Sequence, residues 1–424
     1  MLSPSESPTT ASSPSPTANA NFDTTEAMAI LQKLSVDIGI RAGGTNGERQ
    51  AADYLRDELT SWGYATEEQP FPVQVYKPIS TTLEETAPEA KKLTPLPLIN
   101  AATGQTEGEI AVVNGVGEAG DFPPGVTGRI ALIQRGTITF TEKVQNAQSA
   151  GAIGVIIYNN SSGNLQAPLA APSTVPAVTI SQEEGQALLA AAQAGTVSVG
   201  MSIAATITTN QSRNVLARAP GGDCRILVGG HYDSVPAGPG ANDNGSGTTV
   251  AMEIARVLAA RGETAHVCFT LFGSEELGLL GSKYYVSQLP DADRKAIFGM
   301  LNFDMLAVGT DWPFVGTTSL TGLASQVADS LGIPGRVSDE PPGVGSDHAS
   351  FIELGIPAIL FNCFCDEHYH TALDQFQFIQ PERLTQAGEI GLKMAEALRP
   401  QALTPGPSLS LEAAGRGALT RAGG

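Results

Sequence analysis

The sequence predicts an α/β protein in which a mixed, mostly parallel central sheet is flanked by helices. The clearest signal is a strand–loop–helix–strand unit between Arg225 and Glu276. Two short apolar runs, at 225–230 and 265–272, predict strands, and between them residues 248–258 place apolar side chains at helical spacing. Strands joined by such a helix are expected to be parallel and connected by a right-handed crossover.

Two helices are predicted before this unit. Asp23 with Glu26, and Thr45 with Glu48, have the spacing of a capping box, in which two side chains satisfy the first backbone N–H groups of a helix. Apolar residues then recur on one face of each helix. A strand is predicted at 71–76. We expect both helices to cover the main sheet and to take no part in chemistry.

Strands and helices continue to alternate after the central unit. The predicted elements are a strand ending at 302–304, helices at 321–331 and from 346, a strand at 356–361 and a last helix at 381–398. The last helix is expected to pack on the sheet.

The composition excludes two classes of partner. The 424 residues include 24 Lys and Arg against 43 Asp and Glu, which gives a net charge of −19. An acidic surface repels a phosphate backbone, so nucleic acid is not an expected partner. The sequence also lacks an apolar run of about 18 residues, so no membrane span is expected.

The chain is expected to divide into two domains with two disordered ends. Residues 1–22 are rich in Ser, Thr and Pro and predict a disordered tether, and residues 401–424 predict a disordered tail. Residues 101–207 predict an inserted domain that alternates short strands and helices. The main domain is then formed by 23–100 together with 208–400. Because the insert contains neither His nor Cys, it is not expected to host a catalytic site.

Three motifs in the insert resemble the protease-associated (PA) domain. They are GRIALIQRG at 128–136, AGAIGVIIYN at 150–159 and VPAVTIS at 175–181. The resemblance implies a β-rich α+β domain inserted into the main one. Its role stays open between a lid over a cleft and a spacer.

The sequence says less about the cellular location of the protein and about the state of its cysteines. Tethers rich in Ser, Thr and Pro commonly precede exported domains, so a secreted or cell-envelope location is expected, although no signal-peptide pattern is visible. The four cysteines are too few and too irregular to predict a disulfide framework. For Cys363 and Cys365, a bridge, free thiols and soft metal ligands all remain open.

Imidazole and carboxylate groups follow the predicted strands. Parallel strands present their carboxyl ends at one edge of a sheet, where α/β proteins bind ligands. A set of two imidazoles and three carboxylates suits zinc, and also manganese or cobalt. Five ligands exceed the needs of one tetrahedral zinc, which favours two ions sharing a carboxylate. The candidate metal ligands are His231, Asp243, Glu276, Asp304 and His370, with Asp243 as the bridge.

Neighbouring acidic residues are candidates for supporting roles. Asp233 and Asp374 could each accept the second ring N–H of a ligand histidine and so orient the ring. Glu275 and Glu276 are adjacent at a turn, so their side chains diverge. One of them can bind metal while the other exchanges a proton with the attacking water.

These motifs together resemble the co-catalytic zinc aminopeptidases, the family of aminopeptidase Y and the bacterial double-zinc leucyl aminopeptidases. The motifs are GHYDS at 230–234, ANDNGSG at 241–247, SEELGLLGS at 274–282, NFDM at 302–305, SDH at 346–348 and YHT at 369–371. One departure is Gly345, where many relatives have an arginine, and it bears on recognition of the substrate terminus.

The resemblance implies a role for each matched residue. His231 and Asp304 would bind one zinc, Glu276 and His370 the other, and Asp243 both. The remaining roles concern the substrate and the proton: Glu275 as the general acid/base, Tyr369 polarising the scissile carbonyl, and Met305 lining the pocket for the first side chain.

The resulting hypothesis is an aminopeptidase that holds two Zn²⁺ per chain and hydrolyses peptides with a free N-terminus through a hydroxide activated by the metals. A monomer is expected. Two alternatives stay open: a single-zinc glutaminyl cyclase of the same fold, and a catalytically inactive binding module of the receptor type. Zinc stoichiometry and hydrolysis of free against blocked peptides discriminate among the three.

Overall fold

The computed structural model describes residues 20–169, 171–341 and 345–403, the side chains as far as residue 399. Residues 1–19 of the predicted tether and 404–424 of the predicted tail lie outside the described residues. No helix within the described ranges is long and apolar enough to cross a membrane.

One extended sheet system organises the described chain. Its strands are β1 Ala65–Ala87, β2 Lys91–Leu93, β3 Leu96–Pro97, β4 Gly104–Val112, β5 Ile130–Gln134, β6 Gly154–Tyr158, β7 Ala177–Ile180, β8 Ser198–Arg218, β9 Ile226–His231, β10 Val267–Phe272, β11 Gly299–Phe303, β12 Trp312–Gly316, β13 Gly335–Val337 and β14 Ala358–Phe361. The strands lie in the order β13-β12-β14-β11-β9-β10-β8-β4-β5-β6-β7-β3, and β1 pairs with β8 and β2.

Helices cover the sheet. They are α1 Thr24–Gln32, α2 Asn46–Ser61, α3 Phe140–Ser149, α4 Gln182–Ala194, α5 Gly247–Arg261, α6 Leu280–Gln288, α7 Asp291–Ala296, α8 Thr318–Leu331, α9 His348–Ile352 and α10 Pro381–Leu403. Short helical turns lie at Lys33–Ile38, Ala241–Ser246, Glu275–Leu277 and Phe376–Phe378.

The centre of the main domain is parallel, as the crossover predicted. Strand β9 lies between β10 and β11 and is parallel to both, and β11 is parallel to β14. Strands β8 and β12 close this group with antiparallel pairings. The prediction of a mixed, mostly parallel sheet flanked by helices is therefore confirmed. Helices α1, α5 and α10 bury apolar residues such as Leu31, Ile254 and Leu384 against it, which removes that surface from water.

Strands β1 and β8 connect the main domain to the inserted segment. They pair as antiparallel neighbours from Ala65 opposite Arg218 to Ala87 opposite Ser198. The predicted strand at 71–76 is thus only part of a much longer one. The pattern underestimated it because many residues of β1 are exposed on both faces, while the backbone ladder holds the strand together. A second apolar core, with Ile133, Val144 and Ile156 at its centre, lies beyond this ladder.

Two further observations differ from the sequence-based predictions. The side chain of Thr45 makes no capping hydrogen bond, and Glu48 is buried and points into the fold. Cys224 forms a disulfide with Cys268 and ties the segment before β9 to β10. Cys363 and Cys365 are free thiols.

Candidate metal centre

The predicted ligands meet at one edge of the parallel sheet. His231 is the last residue of β9, Asp304 follows β11 directly, and Glu276 lies on the turn after β10. Asp243 lies on the turn that leads from β9 into α5, and His370 lies on the long connection after β14. The carboxyl ends of neighbouring parallel strands thus bring together residues that are far apart in the sequence.

Asp243 lies between the two histidines. One of its carboxylate oxygens, Oδ1, is 3.4 Å from Nε2 of His231, and the other, Oδ2, is 3.2 Å from Nε2 of His370. His231 Nε2 is also 3.4 Å from Asp304, and His370 Nε2 is 3.0 Å from Glu276. The five side chains therefore form two groups, each with one histidine and one further carboxylate, which share Asp243.

The burial of these groups fits a site for cations. All five side chains are buried, yet Oε1 of Glu276 and Oδ1 of Asp304 have no hydrogen-bond partner. Leaving an ionised carboxylate oxygen buried without a hydrogen bond is costly, and a bound cation would reduce that cost. Donor atoms of His231, Asp243 and Glu276 lie within 4.8 Å of one another, close enough to hold a common ion. The residue types are those that bind zinc.

The electrostatics of Glu276 agree with this interpretation. Burial and the nearby charge of Asp243 raise the pKa of the Glu276 carboxyl to about 7. A carboxyl with such a pKa is only partly ionised near neutral pH, and a bound cation would displace its proton.

Asp374 positions the loop that carries Asp243. Its two carboxylate oxygens accept hydrogen bonds from the backbone N–H groups of Asn242, at 2.7 Å, and Asp243, at 2.9 Å. Asn244 adds a hydrogen bond from its side chain to the backbone carbonyl of Phe303, at 2.8 Å. The sequence suggested that Asp374 orients the ring of His370. The structure instead directs its carboxylate to the backbone of the Asp243 turn.

Asp233 organises the opposite side of the site. One oxygen lies 3.4 Å from Nδ1 of His231, an ion-pair contact, and the orienting role of Asp233 stays a prediction. Its carboxylate also accepts the backbone N–H groups of Glu275, at 3.0 Å, and Glu276, at 3.3 Å. A single buried side chain thus lies beside His231 and holds the turn that carries both glutamates.

Glu275 and Tyr369 border the same centre. Oε2 of Glu275 is 3.9 Å from Nε2 of His231. Burial raises the pKa of Glu275 well above its usual value; the neighbouring His231 opposes this shift, and Glu276 and Asp347 reinforce it. The ring of Tyr369 stacks on that of His370, with centroids 3.7 Å apart, and keeps 37% of its surface exposed.

A cleft of about 750 Å³ opens above these residues, and the inserted segment lines one side of it. Met305 also lines the cleft, and its role in the pocket for the first side chain stays a prediction. The residues contributed by the insert include Arg135, Ile138, Phe140, Leu165 and Pro168. The role of the insert was left open between a lid over a cleft and a spacer; the insert holds no His or Cys, and it forms part of the wall of this cleft.

Sequence reasoning missed Arg135, although a signal was present. Arg135 follows β5 directly, and residues at the carboxyl ends of parallel strands are where polar site residues concentrate. Glu48 was also missed, because its capping-box spacing predicted an ordinary helix start.

Two family models match the chain. The model described as peptidase family M28 matches residues 214–395, and the PA domain model matches residues 95–188. Among curated proteins, aminopeptidase YwaD of Bacillus subtilis (strain 168) is 33% identical over 399 residues, which cover 87% of this chain and 83% of that protein.

Two solved structures that are similar to this chain are also aminopeptidases. The aminopeptidase from Aneurinibacillus sp. strain AM-1 matches with a TM-score of 0.74 at 32% identity, covering 89% of this chain and 94% of that one. BSAP, a zinc aminopeptidase from Bacillus subtilis, matches with a TM-score of 0.72 at 29% identity, covering 90% and 96%. This chain belongs to peptidase family M28, a family of hydrolases, and carries a PA domain.

Proposed function

We propose that this protein is an aminopeptidase that uses two zinc ions and releases the first residue from peptides with a free N-terminus. The relatives named above are aminopeptidases, and one of them is a zinc enzyme. The observation that carries the proposal is Asp243, whose two carboxylate oxygens each face a different histidine. A carboxylate shared in this way suits two ions about 3.5–4 Å apart.

The two groups of ligands define the two zinc sites. His231 and Asp304 would hold one ion, Glu276 and His370 the other, and Asp243 both. When bound, zinc polarises the peptide carbonyl and makes water a stronger nucleophile at neutral pH.

Glu275 moves the proton in this proposal. Its raised pKa suits a group that accepts a proton from the attacking water and then donates it to the leaving amine. The hydroxyl of Tyr369 would donate a hydrogen bond to the carbonyl oxygen as negative charge develops there. Glu275 and Asp366, the lining carboxylates that are not proposed zinc ligands, also favour a cationic amino group over a carboxyl end near the metal centre.

A metal count combined with a substrate panel tests the proposal. We expect about two zinc ions per chain, and hydrolysis of leucine p-nitroanilide but not of its N-acetylated form. Equal cleavage of the blocked and free substrates would contradict aminopeptidase specificity. One zinc per chain together with release of pyroglutamyl products would indicate a glutaminyl cyclase instead.

We also propose that the protein works outside the cytoplasm. The disulfide between Cys224 and Cys268 supports this location, because structural disulfides persist mainly in oxidising compartments. Fractionation of the native host should recover the protein outside the cytoplasm with this bond intact. Recovery in the cytoplasm in the thiol form would contradict the proposal.

A further inference from the structure

The cleft contains one positive side chain from the inserted segment. The carboxylates that line it are Asp243, Glu275, Glu276, Asp304 and Asp366, whereas Arg135 is the only Lys or Arg among the described lining residues. Bound cations would offset the charge of the metal ligands but not that of Arg135. The guanidinium therefore adds a positive charge to the wall of the cleft that the inserted segment forms.

Arg135 lacks an ionic partner within the described part of the protein. Its Nη1 donates to Oδ1 of Asn159, at 3.1 Å, and no carboxylate of the described residues lies within 4.0 Å of the guanidinium. The side chain is half-buried, so it has already lost part of its hydration. A guanidinium held by one neutral contact keeps its other N–H groups available, and their planar arrangement matches a carboxylate.

Arg135 and Tyr369 line the same cleft, on the inserted segment and beside the metal centre respectively. In the proposed binding mode, the amino group lies among the metal-site carboxylates and the scissile carbonyl lies next to Tyr369. The following residue then lies in the rest of the cleft, one wall of which the inserted segment forms.

We propose that Arg135 binds a carboxylate on the second residue of the substrate, so that the protein prefers dipeptides or peptides with an acidic second residue. This inference rests on the proposed aminopeptidase function and names its substrate class. The carboxylate can be the α-carboxylate of a dipeptide or a side-chain carboxylate. Asn159, which is buried, holds the guanidinium toward the cleft.

The kinetics of three matched substrates test this role. We compare kcat/KM for Leu-Gly, Leu-Gly-amide and Leu-Asp-amide in the zinc-loaded wild type and in R135Q. The wild type should prefer one or both carboxylate substrates over Leu-Gly-amide, and that preference should fall on the order of 10- to 100-fold in R135Q, mainly through KM. Preference for Leu-Gly alone assigns the α-carboxylate, and preference for Leu-Asp-amide assigns the side chain.

Two further variants separate charge recognition from damage to the fold. R135K keeps the positive charge and should restore part of the preference. Arg129, on the same segment, is half-exposed and pairs with Glu109 at 3.0 Å, so R129Q should keep both the rates and the preference of the wild type.

The same measurements distinguish a wrong role for Arg135 from a wrong assignment as an aminopeptidase. A wild type that hydrolyses all three substrates without a carboxylate preference would overturn only the role of Arg135, as would an R135Q variant that keeps the preference. A wild type that hydrolyses none of them, and no aminoacyl anilide, would overturn the aminopeptidase assignment and this inference with it.

Discussion

The carboxylate of Glu48 accepts a hydrogen bond from the hydroxyl of Ser274, 2.8 Å away, although 226 positions separate the two residues. The same oxygen of Glu48 accepts from Ser212 at 2.7 Å, and the other accepts from the backbone of Gly44 at 2.7 Å. Ser274 directly precedes Glu275 and Glu276. Glu48 therefore supports the turn that carries Glu275, the proposed general acid/base, and Glu276, a proposed metal ligand.

Replacing Glu48 with alanine should weaken both the fold and the turnover. The buried hydroxyls of Ser212 and Ser274 would lose their acceptor, which costs about 1–3 kcal/mol of unfolding free energy. We expect kcat to fall about 10-fold while zinc content is kept, because the residue positions the turn and does not bind the metal. Urea unfolding, kinetics and metal analysis measure these effects. E58Q, on the same helix, is the control, and wild-type kcat in E48A would contradict the positioning role.

Glu48 should also make stability depend on pH. Burial, and then the charge of Asp233, raise the pKa of Glu48 to about 7 in the folded protein, from 4.5. The folded state therefore holds more protons than the unfolded state between these values, so the contribution of Glu48 to the unfolding free energy falls as pH rises from 4.5 through 7. E48Q should remove this contribution. Identical pH–stability curves for E48Q and the wild type would show that Glu48 does not titrate in this window.

Replacing Glu275 with glutamine should abolish proton transfer and leave the metal site intact. Glu275 is not among the proposed ligands, so zinc content should stay near two per chain. We expect kcat to fall on the order of 10²- to 10⁴-fold. Metal analysis and kinetics with leucine p-nitroanilide check both parts, and E353Q, on the exposed surface, serves as the control. Turnover close to that of the wild type would exclude Glu275 as the general acid/base.

Replacing Asp243 with asparagine should reduce zinc content below two ions per chain, because each of its oxygens faces a different ligand histidine. D243N should also lose most of the rise in Tm that zinc gives to the chelator-treated wild type, since a ligand that binds only the folded state stabilises it. Thermal scans with and without zinc measure this effect. D329N, at an exposed position, should behave as the wild type. A full complement of two zinc ions in D243N would contradict the bridging role.

Loss of the disulfide should destabilise the protein without removing its chemistry. Cys224 and Cys268 are 44 positions apart, and closing a loop of this size contributes about 2–4 kcal/mol by restricting the unfolded chain. The C224S/C268S variant should therefore have a lower Tm and, well below that temperature, retain its activity. C365S, which changes an exposed free thiol, should leave Tm unaltered. A Tm of the double variant equal to that of the wild type would contradict a stabilising role.

Local patterns were sufficient to predict the parallel strands and the polar residues that follow them. Strand β9 and helix α5 are short, strongly patterned elements, and their amphipathic or apolar character is set by residues close together in the sequence. His231 and Asp304 could be placed at one edge for the same reason, since all parallel strands end on the same side of a sheet.

Contacts between distant elements could not be predicted in this way. The spacing of Thr45 and Glu48 is that of a capping box, but packing of α2 against β8 turns Glu48 toward Ser212 and Ser274. Asp374 likewise lies four positions after His370, yet its hydrogen bonds run to a loop more than a hundred positions earlier.

The amino-acid sequence by itself determined the α/β class and the chemical character of the site, because periodicity and residue type act over a few neighbouring positions. Only the tertiary structure decided that Asp374 holds the Asp243 loop, that Glu48 supports the Glu275 turn, and that the inserted segment brings Arg135 to the cleft. These relationships arise from the packing of elements distant in sequence, and side-chain direction depends on that packing as much as on local spacing.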